Sequence, residues 1–350
     1  MRKENLVKKI ITITFFIFLT NFSFAIDYQK DQFRLTLNMH ILSGYRFTTK
    51  ETLQVTQQET VKTTLRRNTF YIPRTYLDFR LRYGELFYGR VYYDISPRDW
   101  YSFDLYVGLT PTKEMEIRFG KFKQSLGYEV DLSAHKFPFV EASMISGMRA
   151  PNGTRDFGIG LFHKAKLFDL NLNIVNGTGR TTPTDSNKWK DVSGRLVLKP
   201  IDNSFIGGNF YYGKRGAKDD SLLSYTRLGL EVGYTQAPFT LVFEYLMGTH
   251  EVFKGNEKKT EKPMGFYGIF GYLIDIFTVN KVYTFQPIVR FDYRKKNKDA
   301  KEETGITFGI NYFVRGDYLK ITPNVAYYTY YIGDKKLTEI RAILQLQGYL

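Results

Sequence analysis

The chain has 350 residues, no cysteine and a formal net charge of +15, and it contains 27 tyrosines and 30 phenylalanines. The absence of cysteine excludes disulfide bonds and thiolate zinc sites. A water-soluble domain would hide most of these aromatic side chains in a core, whereas a membrane β-barrel places them on its outer wall and in belts at the lipid interfaces.

The first 25 residues have the features of an export signal. Basic side chains are concentrated in residues 2–9, a short and mostly apolar run covers 10–19, and Ser23 and Ala25 offer small side chains at the two positions that a signal peptidase reads. A membrane anchor needs about 20 apolar residues, and this run is too short. We therefore expect cleavage after Ala25 and a single domain over residues 26–350.

The rest of the chain alternates between apolar and polar residues over segments of about ten residues, as expected for membrane β-strands. In the clearest segment, 74–83, the even positions are polar and the odd positions are mostly apolar. We predict sixteen strands, at about 32–46, 70–83, 85–95, 100–110, 113–122, 156–167, 169–177, 190–199, 203–213, 223–236, 238–249, 263–274, 282–294, 304–315, 317–331 and 337–350.

The connections between these strands also alternate, between tight turns and long polar stretches. Tight turns lie at 83–85, 110–112, 168–169, 200–203, 237–238 and 315–317. The long stretches lie at 47–69, 123–155, 178–189, 214–222, 250–262 and 295–303, and two outer connections, 96–99 and 332–336, are brief. This pattern predicts an all-β fold, a closed transmembrane antiparallel barrel with short periplasmic turns and long outer loops.

The third outer connection, 123–155, is the longest and is rich in apolar residues, among them Phe137, Phe139 and Ile145. A loop surrounded by water would not have this composition. We expect it to fold into the lumen and narrow it. The alternatives are that it caps the rim or packs over a neighbouring subunit.

Several segments resemble the phosphate-selective porins O and P. The resemblance runs from about residue 70 to the end of the chain and is most specific in FYIPRTYLDF at 70–79 and IRFGKFKQSLGYEVDLSAHKFPFVEAS at 117–143. The strand that follows, RDFGIG at 155–160, also matches, and weaker matches lie at 229–231, 243–246, 290–293 and 309–312.

This resemblance implies a sixteen-stranded and usually trimeric porin, with phosphate or polyphosphate as the finer expectation for its solute. Two positions depart from the family. Glu141 is followed by Ala142, where the family commonly has a basic residue, and the chain ends in Leu350 instead of phenylalanine.

Strand parity predicts which basic side chains point into the lumen, where arginine and lysine raise the local concentration of anions. The inward wall candidates are Arg74, Arg80, Arg82, Arg90, Arg118, Arg227, Arg290, Arg294 and Arg341. The candidates on the constriction loop or at its base are Lys123, Lys136, Arg149 and Arg155. Guanidinium groups suit phosphate because their planar fork can donate two hydrogen bonds to neighbouring oxygens.

The same parity points acidic side chains inward, so many of these arginines have carboxylate neighbours that can neutralise them. Asp78, Asp104, Glu116 and Asp292 are examples. Further positive charge lies in the lysine-rich stretches 250–262 and 295–303, which we expect to meet acidic lipopolysaccharide or solvent.

We find no pattern that indicates an enzyme. The four histidines do not form a recognisable catalytic arrangement, and we expect no cofactor, no metal site and no nucleic-acid binding. The sequence therefore predicts a porin of the bacterial outer membrane, a homotrimer by resemblance, that passes small hydrophilic solutes and prefers anions. The alternatives are a weakly selective general porin, or a structural or adhesive barrel with a blocked lumen.

Overall fold

The structure is a computed structural model that describes residues 26–55, 60–97, 101–182, 184–185, 187–216, 221–278, 282–332 and 335–349. The predicted signal segment, 1–25, lies outside these residues. The strands are β1 (Ile26–Lys30), β2 (Phe33–Val55), β3 (Thr60–Tyr83), β4 (Phe87–Asp94), β5 (Tyr101–Leu109), β6 (Met115–Lys123), β7 (Arg155–Lys164), β8 (Phe168–Val175), β9 (Asp191–Leu198), β10 (Ser204–Arg215), β11 (Leu223–Tyr234), β12 (Phe239–Lys254), β13 (Glu257–Glu261), β14 (Met264–Tyr272), β15 (Ile274–Phe277), β16 (Val282–Lys295), β17 (Glu303–Arg315), β18 (Leu319–Ile332) and β19 (Lys335–Tyr349). No helix in these ranges is long and apolar enough to cross a membrane.

These strands form one closed antiparallel barrel. Each wall strand pairs with the next along the chain, and β19 pairs with β2 from Tyr349 opposite His40 to Lys336 opposite Leu53, which closes the sheet. The segments β13, β14 and β15 follow one another along a single wall strand between β12 and β16. With the short β1 set aside, sixteen strands form the wall, and the predicted barrel is confirmed.

The first strand, β1, pairs with the same edge of β2 as β19, which closes the barrel. It pairs with residues 33–37 of β2, and β19 pairs with residues 40–53 along the same strand. Both terminal segments of the described chain therefore lie beside β2.

Two predicted outer loops are instead extensions of strands. The stretch 47–69 continues β2 and β3, which run to Val55 and from Thr60, and most of 250–262 belongs to β12 and β13. Residues 62–70 are exposed throughout, so their sequence lacks the alternation that marks a half-buried strand. Their threonines nevertheless favour extended backbone.

The two faces of the wall differ as the alternation predicts. On β11, Arg227 and Glu231 point inward and are 3% and 2% exposed, whereas Leu228 and Leu230 point outward and are 48% and 64% exposed. An apolar outer face and a polar inner face suit a wall that has lipid outside and water inside.

Candidate functional site: the lumen and its constriction loop

One long connection enters the interior of the barrel. It joins β6 to β7 over residues 124–154, and we call it the constriction loop. Its two ends lie side by side, because the backbone N–H of Gln124 donates to the carbonyl of Thr154 at 2.8 Å. Between them it contains one helical turn, α1 (Tyr128–Asp131), and two 3-10 turns, Ala134–Lys136 and Ser146–Met148.

The first part of the constriction loop packs against β9 and β10. The guanidinium of Arg195 on β9 lies 3.2 Å from the Asp131 carboxylate, which also accepts a hydrogen bond from the Ser125 hydroxyl at 2.7 Å. The Tyr128 ring stacks on Phe205 of β10, with 5.0 Å between the ring centroids.

The next part contacts β18 and β19. Lys320 donates from Nζ to the carbonyls of His135 at 3.0 Å and Phe137 at 2.7 Å, and Gln347 donates to the His135 carbonyl at 2.7 Å. The His135 ring stacks on Tyr349 at 4.3 Å. These contacts hold this part of the loop, which begins at β6, against β18 and β19 near the closure of the barrel.

The central part is held by wall side chains that bond to its backbone. Asn311 donates to the Pro138 carbonyl at 3.1 Å, and Asn324 accepts from the Val140 N–H at 2.8 Å. Each of these bonds satisfies a backbone group that would otherwise be buried without a partner.

Glu141 brings two wall arginines together. Its carboxylate accepts hydrogen bonds from Arg46 on β2 at 3.0 Å and from Arg341 on β19 at 2.8 Å. Its backbone carbonyl accepts from Arg290 on β16 at 2.9 Å, and the carbonyl of Ala142 accepts from the same guanidinium at 3.2 Å. Glu141 therefore binds the loop to β2 and β19, the two strands whose pairing closes the barrel.

The last part returns along β16 to β11. The N–H of Met144 donates to Asp292 at 3.0 Å, and its carbonyl accepts from Arg294 at 3.1 Å. The carbonyl of Met148 accepts from Arg227 on β11 at 2.7 Å.

A buried ion pair joins the end of the constriction loop to β12. Arg149 on the loop and Glu244 on β12 form an ion pair with no exposed side-chain surface, and Tyr267 donates to the same carboxylate at 2.6 Å. Arg149 also donates to the Leu126 carbonyl at 2.6 Å, which joins the last part of the loop to its first.

Burial and neighbouring charges shift the pKa values of three side chains on the constriction loop. Burial raises the pKa of Glu129, although Arg290 and Arg149 oppose this. Burial would also raise the pKa of Asp131, but Arg195 and nearby lysines overcome it and lower that pKa to about 2. Burial lowers the pKa of His135.

A different pattern lines the wall from β3 to β7, where charged groups and rings occupy the inward positions. Cross-strand partners place Asp78, Tyr92 and Asp104 in one row across β3, β4 and β5. Arg90, in the next row, donates to Asp78 at 2.7 and 2.9 Å and to Asp104 at 2.8 Å. Arg155 on β7 donates to the other oxygen of Asp104 at 2.8 Å.

The structure divides the predicted basic residues into two groups. One group holds the constriction loop: Lys123, Arg149, Arg227, Arg290, Arg294 and Arg341. Among them, Arg149 and Arg290 have side chains only 0% and 1% exposed, so neither guanidinium is accessible from the lumen. The other group lies along the β3–β7 wall: Arg74, Arg80, Arg82, Arg90, Arg118 and Arg155. Lys136 is exposed on the loop.

The acidic neighbours expected from parity are present. Asp78 accepts from Arg80 at 2.7 Å as well as from Arg90, and Glu116 accepts from Arg118 at 2.7 Å. The charge of this wall is therefore partly balanced.

Other important residues were missed in the sequence. Lys320, Arg195 and Arg46 occupy inward positions, and uncharged polar side chains such as Asn311 and Gln347 do so as well. Strand parity could have assigned these side chains to the inner face of the wall. What parity does not give is the segment of the loop that each one faces.

The lysine-rich outer stretches are internally paired. On the β12–β13 hairpin, Lys254 lies 3.0 Å from Glu261 and Lys259 lies 3.4 Å from Glu257. In the stretch after β16, Lys296 lies 2.8 Å from Glu303. Part of the positive charge expected to meet acidic lipid is thus offset locally. Across the described ranges, no group of three or more histidine or acidic side chains is placed to hold a metal ion.

No known protein-family profile matches the chain, and no curated protein matches it in sequence. Solved structures do match its fold. The anion-selective porin from Comamonas acidovorans is 10% identical, with a TM-score of 0.61, and the match covers 89% of this chain and 99% of that one. The outer membrane channel DcaP of Acinetobacter baumannii is 12% identical, with a TM-score of 0.60 and coverage of 90% and 97%. The outer-membrane OmpT of Vibrio cholerae is 11% identical, with a TM-score of 0.58 and coverage of 93% and 100%. At this identity the likeness shows a shared barrel fold.

Proposed function

We propose that the protein is an outer-membrane porin that lets small hydrophilic solutes diffuse through its lumen and prefers anions. The closed wall, apolar outside and polar inside, and the likeness in fold to porins and an outer-membrane channel support this proposal. Diffusion through a pore requires neither turnover nor a cofactor.

The observation that carries the anion preference is the uneven distribution of charge inside the barrel. The constriction loop is anchored on β2 and around the wall between β8 and β19. We place the solute path between this loop and the wall from β3 to the start of β7. Basic side chains outnumber acidic ones there: Arg74, Arg80, Arg82, Arg90, Arg118 and Arg155 against Asp78, Asp94, Asp104, Glu116 and Asp156. A narrow passage with one positive wall raises the local concentration of anions.

Phosphate is the finer proposal, and it rests on the family resemblance together with these guanidinium groups. The forks of Arg90 and Arg118 are already bonded to carboxylates, so we propose that a phosphate ion contacts Arg74, Arg82 and Lys136 at separate points along the lumen. We further propose export with cleavage after Ala25, assembly as a homotrimer, and contact of the lysines on the outer hairpins with lipopolysaccharide.

The test is the reversal potential of the purified protein in a planar bilayer under a salt gradient, followed by titration with inorganic phosphate. We expect a potential of anion sign. Block of the chloride current by low phosphate would support phosphate selectivity. A potential of cation sign would overturn the anion preference, and weak selectivity indifferent to phosphate would leave a general porin.

One observation favours a second candidate, a structural barrel with a blocked lumen. The constriction loop is bonded to most of the wall, and Ile145 in its last part is completely buried. A barrel that inserts into bilayers and gives no conductance in any salt would support this alternative.

A further inference from the structure

The basic wall carries a second regularity, because its arginines lie against aromatic rings. Arg180, in the connection after β8, lies 4.3 Å from the centroid of Tyr101, and Arg155 lies 4.3 Å from that of Phe103. Closer to the periplasmic turns, Arg90 lies 4.5 Å from the centroid of Tyr92, two residues further along β4.

The pairing continues towards the periplasmic turns. Arg118 lies 4.9 Å from the centroid of Tyr106 and 3.8 Å from that of Phe162, and Arg82 lies 5.9 Å from that of Tyr88. A column of guanidinium–ring pairs therefore follows one wall of the lumen along the length of β5. We call it the arginine–aromatic column.

A local irregularity builds the outer end of the column. The register of β4 and β5 shifts between Tyr92 and Tyr93, so that Phe103 is an extra residue in β5. The bulge places its ring beside Tyr101 at 5.3 Å and Tyr92 at 5.8 Å. Bulges re-aim a side chain in this way, and here the result is a continuous patch of rings.

The hydrogen-bonding capacity of the arginines differs along the column. Arg90 and Arg118 each use several N–H groups on carboxylates. Arg155 uses only Nε, on Asp104, and the Arg180 guanidinium has no carboxylate partner among the residues that the structure describes. At the outer end, free N–H donors therefore lie next to rings.

We propose that the outer end of the column binds aromatic monocarboxylates, which makes them preferred solutes of the channel. The carboxylate accepts hydrogen bonds from Arg155 and Arg180, and the arene packs against Phe103 and Tyr101. This inference rests on the proposed function and specifies its solute class.

The chemistry of the pairs favours this class over other anions. Guanidinium donates to carboxylates through its edge and stacks on arenes through its plane, so one planar solute satisfies both. A compact hydrated anion gains nothing from the rings. A neutral sugar would need free acceptors, but Asp104 and Asp78 are already bonded to arginines.

The test compares three probes on the intact protein in planar bilayers: benzoate, cyclohexanecarboxylate and acetate. The first two have the same charge and similar size, and only benzoate has an aromatic ring. We expect benzoate to block the chloride current at a concentration about three- to tenfold lower than cyclohexanecarboxylate, which is the range that an aromatic contact adds. Acetate should block least.

Variants locate the effect. Tyr101→Leu with Phe103→Leu should remove the difference between benzoate and cyclohexanecarboxylate, while Arg155→Gln with Arg180→Gln should weaken both. Tyr93→Leu is the matched control, because Tyr93 is next to Tyr92 on β4 but is 37% exposed on the outer face. It should keep the wild-type difference.

Equal block by benzoate and cyclohexanecarboxylate in an anion-selective wild-type channel would overturn this inference and leave the proposed function intact. A channel that is silent or cation-selective would overturn both. The wild-type comparison decides the question even where the double variant fails to fold, which a gel-mobility assay of the heated and unheated barrel detects.

Discussion

Arg149 and Glu244 form an ion pair in which neither side chain has any exposed surface. One partner belongs to the constriction loop and the other to the wall, so the pair joins the two parts through side chains that are fully buried. A buried ion pair adds little stability compared with apolar side chains of the same size, but removal of one partner leaves an uncompensated charge.

We therefore expect Glu244→Leu to destabilise the protein by about 3–5 kcal/mol. The loop should also leave its position, because Arg149 would move towards water, and single-channel conductance should rise. Urea unfolding in detergent and bilayer recordings measure the two effects. The double variant Arg149→Met with Glu244→Leu should recover most of the stability, and a single variant as stable as the wild type would contradict this role.

Glu141 tests the balance of charge in the passage. Replacement by glutamine removes one negative charge while Arg46 and Arg341 remain. A unit charge about 10 Å from an ion in water contributes about 0.4 kcal/mol, which corresponds to about a twofold change in the permeability of that ion. Because the change favours anions and disfavours cations, we expect the ratio of anion to cation permeability to rise by about fourfold in reversal-potential measurements at low salt. Glu261→Gln, on the outer hairpin, should leave the ratio unchanged.

Lys320 tests how the loop is anchored on β18. Replacement by methionine removes the hydrogen bonds to the carbonyls of His135 and Phe137, and we expect larger and noisier single-channel currents because this part of the loop is released. Lys335→Met removes an equal charge from the exposed start of β19 and should leave the current unchanged. Identical currents in the two variants would show that Lys320 does not anchor the loop.

Asp131 predicts a dependence on acid pH. Its pKa is lowered from 3.8 to about 2 in the folded protein, because Arg195 and nearby lysines outweigh the effect of burial. A lowered pKa stabilises the folded state above the unfolded value of 3.8, and this contribution is lost as the pH falls towards 2. Unfolding midpoints measured across this window should fall more steeply for the wild type than for Asp131→Asn. Parallel curves would contradict the assignment.

Export processing is checked directly by mass spectrometry of the protein isolated from outer membranes. We expect the polypeptide to begin at Ile26. A mass that includes residues 1–25 would mean that the segment is retained.

The alternation of residues was enough to predict the strand count and their order, because each wall strand has one lipid face and one wet face. It failed at 47–69, where residues 62–70 are exposed throughout and no hydrophobic period exists to read. Where only backbone pairing determines the end of a strand, the sequence contains no hydrophobic alternation from which that end could be predicted.

The candidate site was predicted less completely. Parity placed Arg290 and Arg90 on the inner face, but it could not show that Arg290 would be covered by the loop while Arg90 would line the opposite wall. That difference depends on the path of the constriction loop, which is fixed by long-range contacts such as that of Asn324 with Val140.

The pairing of β19 with β2 joins residues about 300 positions apart, such as Tyr349 and His40. Closing so large a loop of chain costs conformational entropy before any wall contact repays it, and folding that depends on such distant contacts is slow. The open sheet would meanwhile expose the edge of β2, a template on which another chain could add a strand. Successful folding thus requires that this edge be shielded until the last strand arrives.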